Sequence, residues 1–319
     1  MKAAFADETF RDEVKLGAIN SINWARVMAQ ITYYFYSYLR VTDGVLEKNL
    51  MLKEPKVSYA VPTGNFGDIL AGYYAKRMGL PVDKLVVCTN QNDVLHRFLQ
   101  SGVYSKAPAV LTIAPSMDIS VSSNFERYLY YLSNENGELL AQWMKEFESC
   151  GELRVPADAL AIARSEFLSF SADKDLITST MRELHSSEGY LVCPHTATAV
   201  AAVQSLLGSG PAGLGASIPV CLATAHAAKF EEATMLALEV TSESMPARPP
   251  ALEELFHMDT RRVDLPNSLG AIQQYMRSKL KSTYWWTSAL SGWSLSLLTA
   301  SAVVAITAVV VLRQVHSSK

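Results

Sequence analysis

The chain has 319 residues, of which 49% are hydrophobic and 18% are charged. This length and apolar content are sufficient for one large hydrophobic core or two smaller ones. The net charge is −3 and the pI is about 6.1, so the chain lacks the overall basic character of a nucleic-acid-binding protein. We therefore expect a globular protein without a nucleic-acid partner.

Neither a metal site nor a secretory signal is predicted. The four cysteines and six histidines show no Cys-x-x-Cys or His-Glu-x-x-His spacing. Residues 1–14 are charged and contain no apolar run, which excludes a secretory signal peptide at this point. We expect the folded body to lie in the cytosol.

Residues 57–90 are the most informative part of the chain. A β-rich run over residues 57–61 ends at Pro62, a glycine-bearing loop covers residues 63–67, a helix is predicted from residue 68 to 78, and a second strand covers residues 85–88. Unpaired N–H groups at a helix N-terminus attract phosphate, and glycines let the backbone approach it closely. The pattern predicts a βαβ unit whose loop binds phosphate. Its spacing differs from the common dinucleotide and P-loop motifs, so an ordinary α/β turn is the alternative.

Hydrophobic periodicity and turn residues predict further alternating elements. Helices are predicted over residues 21–40, 92–100, 122–132, 137–148, 160–170, 176–184 and 197–207. Strands are predicted over residues 110–113, 190–193 and 218–223. A proline-rich break at residues 245–250 precedes a further region over residues 252–281. The alternation favours a mainly parallel sheet covered by helices.

The string VPTGNFGDILAGYYAKRMGLP at residues 61–81 closely resembles threonine synthase of the fungal and bacterial type. Other motifs match the same family in the same order, at residues 16–26, 89–95, 116–127, 193–197 and 222–230. Matches are dense from residue 16 to 230 and sparse between residues 134 and 187. The resemblance implies a pyridoxal-phosphate-dependent enzyme of fold type II.

The resemblance, together with the separate apolar signal at the end of the chain, predicts an organisation for the chain. The fold class is α/β, with mainly parallel sheets covered by helices and, in addition, a C-terminal apolar helix. We expect residues 1–55 to carry the family's Asn/Ser-rich active-site segment and residues 56–250 to form the α/β domain that binds the phosphate of pyridoxal phosphate. Residues 251–281 are expected to be a C-terminal helical region, and residues 282–312 a candidate transmembrane helix.

Site residues follow from the matched motifs. The residues implied to bind the cofactor are Gly64, Asn65, Phe66, Gly67 and Thr224, the last at the pyridine nitrogen. The residues implied to face the substrate are Asn20, Ser21, Asn23 and Arg26. Alternatively, Phe66 packs in the core, Thr224 caps a helix and Arg26 is structural. His195 and His226 lie in matched motifs, and we expect both to be structural.

The implied reaction converts O-phospho-L-homoserine and water to L-threonine and phosphate. The family's lysine that forms the Schiff base with the cofactor lies in a Ser-Phe-Lys-Asp motif, which does not occur in this sequence. We therefore assign no catalytic residue and expect an incomplete active site. The alternatives are a threonine synthase-like phospho-lyase acting on phosphorylated hydroxy amino acids, and a catalytically silent, membrane-tethered protein.

The end of the chain carries a separate signal. Residues 282–312 contain no charged residue, and an apolar stretch of eighteen residues covers positions 295–312. This length roughly meets that needed to span a bilayer core, and Trp285, Trp286 and Trp293 fit an interfacial belt. We expect a tail anchor that leaves the body in the cytosol. The alternatives are a buried C-terminal helix and an erroneous sequence join.

Overall fold

The structure is a computed structural model that describes residues 2–17, 20–46, 55–207, 209, 213–260 and 262–290. The chain divides into two compact units, one formed from residues 1–17 and 259–319 and the other from residues 18–258. In chain order the elements are α1 (Lys2–Ala6), α2 (Glu8–Val14), α3 (Trp24–Leu46), β1 (Val57–Pro62), α4 (Gly67–Arg77), β2 (Val82–Thr89), α5 (Val94–Ser101), β3 (Val103–Ser105), α6 (Phe125–Leu132), α7 (Gly137–Cys150), β4 (Glu152–Arg154), α8 (Ala157–Glu166), β5 (Phe167–Ser171), α9 (Lys174–Glu188), α10 (Pro194–Leu207), β6 (Ile218–Cys221), α11 (Glu231–Leu238), α12 (Pro250–Glu253) and α13 (Leu269–Leu290).

A four-stranded sheet forms the centre of the larger unit. Its strand order is β5-β2-β1-β6, and all three neighbouring pairs are parallel. Every residue of β1 is buried, as expected for a parallel strand covered on both faces. The predicted parallel, helix-covered sheet is confirmed.

The alternation of side chains along β1 and β2 supplies a core on each face of the sheet. Tyr59 and Leu85 point to the larger core, which also contains buried residues of α3, α4, α5 and α6. Ala60 and Val86 point to the other face, where they pack against Ala199 and neighbouring residues of α10. The small side chains on this second face allow the alanine-rich helix to approach the sheet closely.

The order of the strands creates a switch point between β1 and β6. From β1 the chain continues through α4 to β2 on one side, whereas β6 pairs with the opposite edge of β1. Ligands of open α/β sheets bind in the crevice at the carboxyl ends of the strands where the order reverses. The loop at residues 63–66 follows β1 and residues 222–226 follow β6, so both segments lie at this crevice.

Two predicted strands are wrong. Residues 110–113 are irregular, because side chains take their backbone hydrogen bonds: the Val110 N–H donates to Asn92 Oδ1 at 2.7 Å and the Thr112 N–H to Asp118 Oδ2 at 2.8 Å. Residues 190–193 form only an isolated bridge, between Val192 and His226. At residues 110–113, tertiary partners thus override the local β-propensity.

The predicted helix over residues 160–170 is wrong for its last four residues. Helix α8 ends at Glu166 and the chain continues directly as β5, which pairs with β2 from Phe167 to Ser171. Because Phe167 is buried against the core, the sheet edge stabilises the extended conformation. The antiparallel pair β3 and β4 was also not predicted from the sequence.

The smaller unit contains α1, α2 and α13. Its apolar cluster consists of Ala4, Phe10, Val14, Leu16, Met276 and Leu280. Arg277 pairs with Glu13 at 2.6 Å and its guanidinium lies 5.0 Å from the Phe10 ring centroid. The two side chains of the ion pair are 41% and 47% exposed, so the pair adds little to stability and the apolar cluster dominates.

The predicted membrane span at residues 282–312 lies outside the described residues from position 291 onward. Across the part of the chain that is described, no helix is long and apolar enough to cross a bilayer. The predicted C-terminal helical region contains α12, a 3-10 helix over Glu254–His257 and α13. The predicted division into four segments stays a prediction.

Gly72 in α4 gives a test of the packing between α3, α4 and β2. A Cβ atom at this position would lie 2.5 Å from Tyr34 Cε1 and 2.9 Å from Leu85 Cδ2. We expect Gly72→Ala to lower the free energy of unfolding by about 1–3 kcal/mol, the usual cost of overpacking a dense core. Gly137 in α7 has no heavy atom within 4 Å of an added Cβ, so Gly137→Ala is the matched control. Equal stability of the two variants in urea denaturation would contradict tight packing of Gly72 against Tyr34 and Leu85.

Candidate functional site

The loop between β1 and α4 contains a strained residue that aromatic packing holds in place. Phe66 has φ 61° and ψ 10°, a left-handed conformation that is a genuine outlier for a bulky residue. Its ring is buried, with centroids 5.3 Å from Phe125, 5.9 Å from Tyr128 and 5.7 Å from Phe167. The side chain of Phe66 therefore packs in the core, as the predicted alternative has it, while the backbone of Phe66 forms the turn into α4.

The carbonyl oxygens of the loop are bonded to the start of α6. The Ser122 hydroxyl donates to the Gly64 carbonyl oxygen at 2.8 Å. The Asn124 backbone N–H and side-chain Nδ2 donate to the Asn65 carbonyl oxygen at 3.1 and 2.8 Å. By contrast, the described residues supply no hydrogen-bond acceptor to the backbone N–H groups of Asn65, Phe66, Gly67 and Asp68. Free N–H groups at the start of a helix form an anion site.

A small cavity of about 170 Å³ lies against this loop. It is lined by Ser21, Arg26, Gln30, Pro62, Thr63, Gly64, Asn65, Phe66, Gly67, Asp68, Ile69 and Ser116. A Cβ on Gly64 would lie 3.0 Å from the Ser116 carbonyl oxygen and 3.1 Å from Met117 Cα, so only glycine fits there without displacing backbone. The loop therefore has both the free donors and the close backbone packing that a phosphate group requires.

A larger cavity of about 940 Å³ adjoins the small one. It is lined by Arg26, Gln30, Thr32, Tyr33, Tyr36, Ser37, Asp68, Leu222, Ala223 and Thr224. The two cavities share Arg26, Gln30 and Asp68. Among the described residues that line them, Arg26 is the only cation and Asp68 the only carboxylate. The structure thus brings the glycine loop, Arg26 and Thr224 to one crevice at the switch point of the sheet.

The four residues of the predicted substrate segment differ in position. Ser21 and Arg26 line the small cavity, and the Ser21 carbonyl oxygen accepts a hydrogen bond from Asn124 Nδ2 at 2.9 Å. Asn20 and Asn23 are not among the described lining residues. Their side chains instead accept hydrogen bonds from nearby backbone N–H groups, at 3.0 Å from Ile22 to Asn20 and at 2.9 Å from Ala25 to Asn23. These bonds shape the turn before α3.

Thr224 is hydrogen-bonded to the first turn of α10. Its backbone N–H donates to Thr196 Oγ1 at 3.3 Å. The predicted alternative, in which Thr224 caps the following helix, is wrong. His226 takes that position, because its Nδ1 accepts a hydrogen bond from the Ala228 N–H at 3.1 Å.

His195 connects α10 to the loop that covers the small cavity. It is buried, and its Nε2 accepts a hydrogen bond from the Ser116 N–H at 3.1 Å. Burial lowers the pKa of His195 to about 4, with Lys229 acting in the same direction and Asp118 opposing it. The imidazole is therefore neutral at pH 7, as an acceptor at Nε2 requires.

Asp118 holds the same covering loop from its other end. Its Oδ1 accepts hydrogen bonds from Asn90 Nδ2 at 2.8 Å, Asn92 Nδ2 at 2.9 Å and Thr112 Oγ1 at 2.7 Å. A carboxylate that accepts several hydrogen bonds fixes the groups around it. Asp118 and His195 together determine where Ser116 lies above Gly64.

Asp68 is the titratable group at the boundary of the two cavities. Tyr34 Oη donates to its Oδ1 at 3.1 Å and to its backbone carbonyl oxygen at 2.8 Å. Burial raises the pKa of Asp68 to about 6, and the hydrogen bond from Tyr34 partly opposes that shift. The carboxyl is therefore close to half-protonated near pH 6.

Several residues of this site were not singled out from the sequence. They are Gln30, Asp68, Ser116, Ser122 and Asn124. Ser116, Ser122 and Asn124 lie in the matched motif at residues 116–127, but the sequence assigned them no role, because polar residues before an aromatic helix are equally typical of helix capping. A further cavity of about 750 Å³ is lined by Pro115, Lys229, Phe230 and neighbouring residues, and contains none of the predicted site residues.

Comparison with known proteins gives a consistent result. Residues 196–276 match the family model "Threonine synthase, C-terminal". Threonine synthase of Pseudomonas aeruginosa is 42% identical over 277 residues, covering 86% of this chain and 55% of that protein. Threonine synthase of Saccharomyces cerevisiae is 40% identical over 280 residues, covering 83% and 52%. Threonine synthase-like 2 of Rattus norvegicus is 39% identical over 263 residues, covering 82% and 52%.

A solved structure, that of pyridoxal-phosphate-bound threonine synthase from Brucella melitensis, superimposes with a TM-score of 0.75 at 37% identity. The alignment covers 87% of this chain and 56% of that one. The fold is thus that of the α/β enzymes to which the solved threonine synthases belong. The chain belongs to the threonine synthase family. It spans about half the length of the curated relatives that it matches. These matches give no support to a catalytically silent, membrane-tethered protein.

The buried neutral His195 predicts a pH dependence of stability. Its pKa is about 4 in the folded protein and about 6.5 in an unfolded chain, so the unfolded state binds the proton first. The stabilisation is therefore complete above pH 6.5 and is lost as the pH falls from 6.5 towards 4. We expect wild type to lose on the order of 3 kcal/mol more than His195→Gln over this range. Glutamine can accept the Ser116 hydrogen bond but does not titrate.

Urea denaturation at pH 7, 6, 5 and 4.5 measures this difference. His257→Gln, at an exposed position, serves as the control and is expected to follow wild type. Parallel pH profiles for wild type and His195→Gln would show that the imidazole is not held neutral by its surroundings.

Proposed function

We propose that this chain forms the part of a threonine synthase-type enzyme that binds the phosphate of pyridoxal phosphate, with the rest of that enzyme's length lying outside the chain. The observation that carries the proposal is the loop at residues 63–67. Its carbonyl oxygens accept hydrogen bonds from Ser122 and Asn124 just before α6, whereas the four successive N–H groups of residues 65–68, which lead into α4, have no acceptor among the described residues. An anion supplies those acceptors.

The proposed roles follow the two cavities. The backbone of Gly64, Asn65, Phe66 and Gly67 holds the phosphate in the small cavity, and the larger cavity takes the rest of the cofactor towards Thr224. The Thr224 hydroxyl is the proposed partner of the pyridine nitrogen. When bound, pyridoxal phosphate supplies an electron sink for charge that develops on substrate carbon atoms.

Arg26 is the proposed anchor for the substrate. It lines both cavities and is their only cation in the described part of the chain. A guanidinium binds a carboxylate or phosphate through two parallel hydrogen bonds, so Arg26 can hold an anionic amino acid beside the loop. Ser21 lies on the same wall, and Asn20 and Asn23 shape the turn that carries it.

The proposed reaction converts O-phospho-L-homoserine and water to L-threonine and phosphate, by loss of the phosphate from the γ-carbon and addition of water at the β-carbon. The similarity to bacterial and fungal threonine synthases supports this substrate. The alternative is a phospho-lyase acting on phosphorylated hydroxy amino acids. It is supported by the similarity to threonine synthase-like 2 of rat, at 39% identity.

Substitution at Gly67 tests the proposed phosphate site. Gly67 is the first residue of α4, and a Cβ there would lie 3.4 Å from the Ser21 carbonyl oxygen and 3.9 Å from Gln30 Oε1, both on the wall of the small cavity. The two methyl groups of a valine would therefore crowd the space that the phosphate needs beside the backbone. We expect Gly67→Val to weaken pyridoxal phosphate binding tenfold or more, on the scale of one or two charge-assisted hydrogen bonds. Gly137, the first residue of α7, is the matched control, and Gly137→Val should bind as wild type does.

Binding is measured by absorbance and fluorescence titration of the 319-residue chain. Because no described lysine lines either cavity, we expect reversible binding, and borohydride should leave no stable adduct on a single lysine. Unchanged affinity in Gly67→Val, with a folded variant by circular dichroism, would mean that the phosphate binds elsewhere.

Membrane attachment through residues 282–312, with the body in the cytosol, is a separate proposal that rests on the sequence. An apolar stretch of eighteen residues is long enough to bind firmly to a bilayer core. We expect the full chain to stay with membranes after an alkaline carbonate wash, and a chain ending at Lys281 to be released. If both are recovered in the same fraction, the stretch does not act as an anchor.

A further inference from the structure

We propose that Asp68 is a direct partner of the bound phosphate and shares one proton with it, so that the loop takes up a phosphate ester together with a proton from solution. This inference rests on the proposed function, in which the loop binds the phosphate of pyridoxal phosphate. It adds a side chain with a defined role to a site otherwise built from backbone N–H groups.

Asp68 lies at the boundary of the two cavities. It follows Gly67 directly in the first turn of α4, and it lines both the small cavity beside the loop and the larger cavity that adjoins it. Its Oδ1 accepts a hydrogen bond from Tyr34, while its Oδ2 has no hydrogen-bond partner among the described residues. An anion seated in the small cavity is therefore bordered by Asp68, whose second carboxyl oxygen has no partner among the described residues.

Few charged groups surround Asp68 in the described lining of the two cavities. The ionisable groups that face Asp68 from α3 are Tyr34 and Arg26, with Tyr33 and Tyr36 further along the larger cavity. The other described lining residues are uncharged. A phosphate ester with two negative charges beside an ionised carboxyl would place three negative charges against the single positive charge of Arg26. One proton held between the carboxyl and the phosphate removes the repulsion and replaces it with a hydrogen bond between two acidic groups.

The acidities of the two groups make this exchange accessible near neutral pH. Burial raises the pKa of Asp68 to about 6, and the second pKa of a phosphate monoester is also about 6. Two interacting acids titrate as a pair, and the first proton binds more tightly than it would to either group alone. At pH 8 both groups are ionised when separate, so formation of the complex takes up a proton. Affinity then falls as the pH rises above 7.

Isothermal titration calorimetry with pyridoxal 5'-phosphate tests the inference. Titrations at pH 8 in two buffers of different ionisation enthalpy count the protons taken up on binding. Aspartate at position 68 is compared with Asp68→Asn, whose amide oxygen keeps the Tyr34 hydrogen bond but binds no proton. Because both proteins bind the same ligand, proton changes on the cofactor itself cancel in the difference.

We expect wild type to take up close to one proton more than Asp68→Asn at pH 8. Between pH 7 and 9, the affinity of wild type for pyridoxal phosphate should fall by up to tenfold per pH unit relative to that of Asp68→Asn. At pH 8, Asp68→Asn should bind pyridoxal phosphate at least about tenfold more tightly than wild type does. Asp175→Asn, on α9 outside both cavities, removes the same charge and should behave as wild type. Tyr34→Phe removes the donor to Asp68 Oδ1, so it should shift the fall in affinity to higher pH.

The outcomes separate this inference from the proposed function. If wild type and Asp68→Asn both bind pyridoxal phosphate with the same proton count and parallel pH profiles, Asp68 does not share a proton and the phosphate site stands. If neither protein binds pyridoxal phosphate at any pH, both the inference and the proposed function are overturned. A uniform loss of affinity in Asp68→Asn, without a change in the pH profile, assigns the carboxyl a structural role and also overturns the inference.

Discussion

The carboxamide of Asn124 is the interaction on which the phosphate loop depends. It is completely buried, and its Nδ2 donates to the carbonyl oxygens of Asn65 and Ser21, while its Oδ1 accepts from Arg127. Leaving a buried amide unsatisfied is costly, so these partners are held together. By bonding the Asn65 carbonyl oxygen, Asn124 fixes a conformation in which the N–H groups of the loop have no acceptor in the described part of the chain. The same residue joins three segments far apart in the chain, which are the turn before α3, the loop after β1 and the start of α6.

The aromatic cluster beneath the loop performs a complementary task. Phe66 adopts a left-handed conformation that a bulky residue avoids, and its burial against Phe125, Tyr128 and Phe167 offsets the strain. A glycine at this position would relieve the backbone but would remove the ring from the core. The conformation of the loop is therefore fixed by the packing of the Phe66 ring in the core and by the hydrogen bonds that Ser122 and Asn124 donate to its carbonyl oxygens. Its N–H donors face a position that no described residue fills.

The chemistry of the crevice is sparse in charge. Arg26 and Asp68 are the two charged residues that line the two cavities in the described part of the chain, and the remaining polar groups are hydroxyls, amides and backbone atoms. Such a site binds an anion through oriented dipoles and a single guanidinium, with the carboxyl setting how many protons accompany it. Tyr33 and Tyr36, on the wall of the larger cavity, are both exposed.

The sequence by itself determined the local chemistry of this protein. The glycine loop between an apolar strand and a helix start was predictable because two glycines, a helix and two β-rich runs occur within 34 residues of one another. Only the tertiary structure decided the rest. Residues 110–113 have strand composition, yet their backbone N–H groups donate to the side chains of Asn92 and Asp118. Phe167 directly follows a helix, yet it pairs with β2 as part of the sheet. The roles of Asn124, Ser116 and Asp68 depend on partners 34 to 103 positions away, and burial, which sets the acidity of Asp68 and His195, exists only once those segments are packed. Sequence patterns report what a residue prefers locally, whereas hydrogen-bond satisfaction and desolvation are properties of the assembled fold.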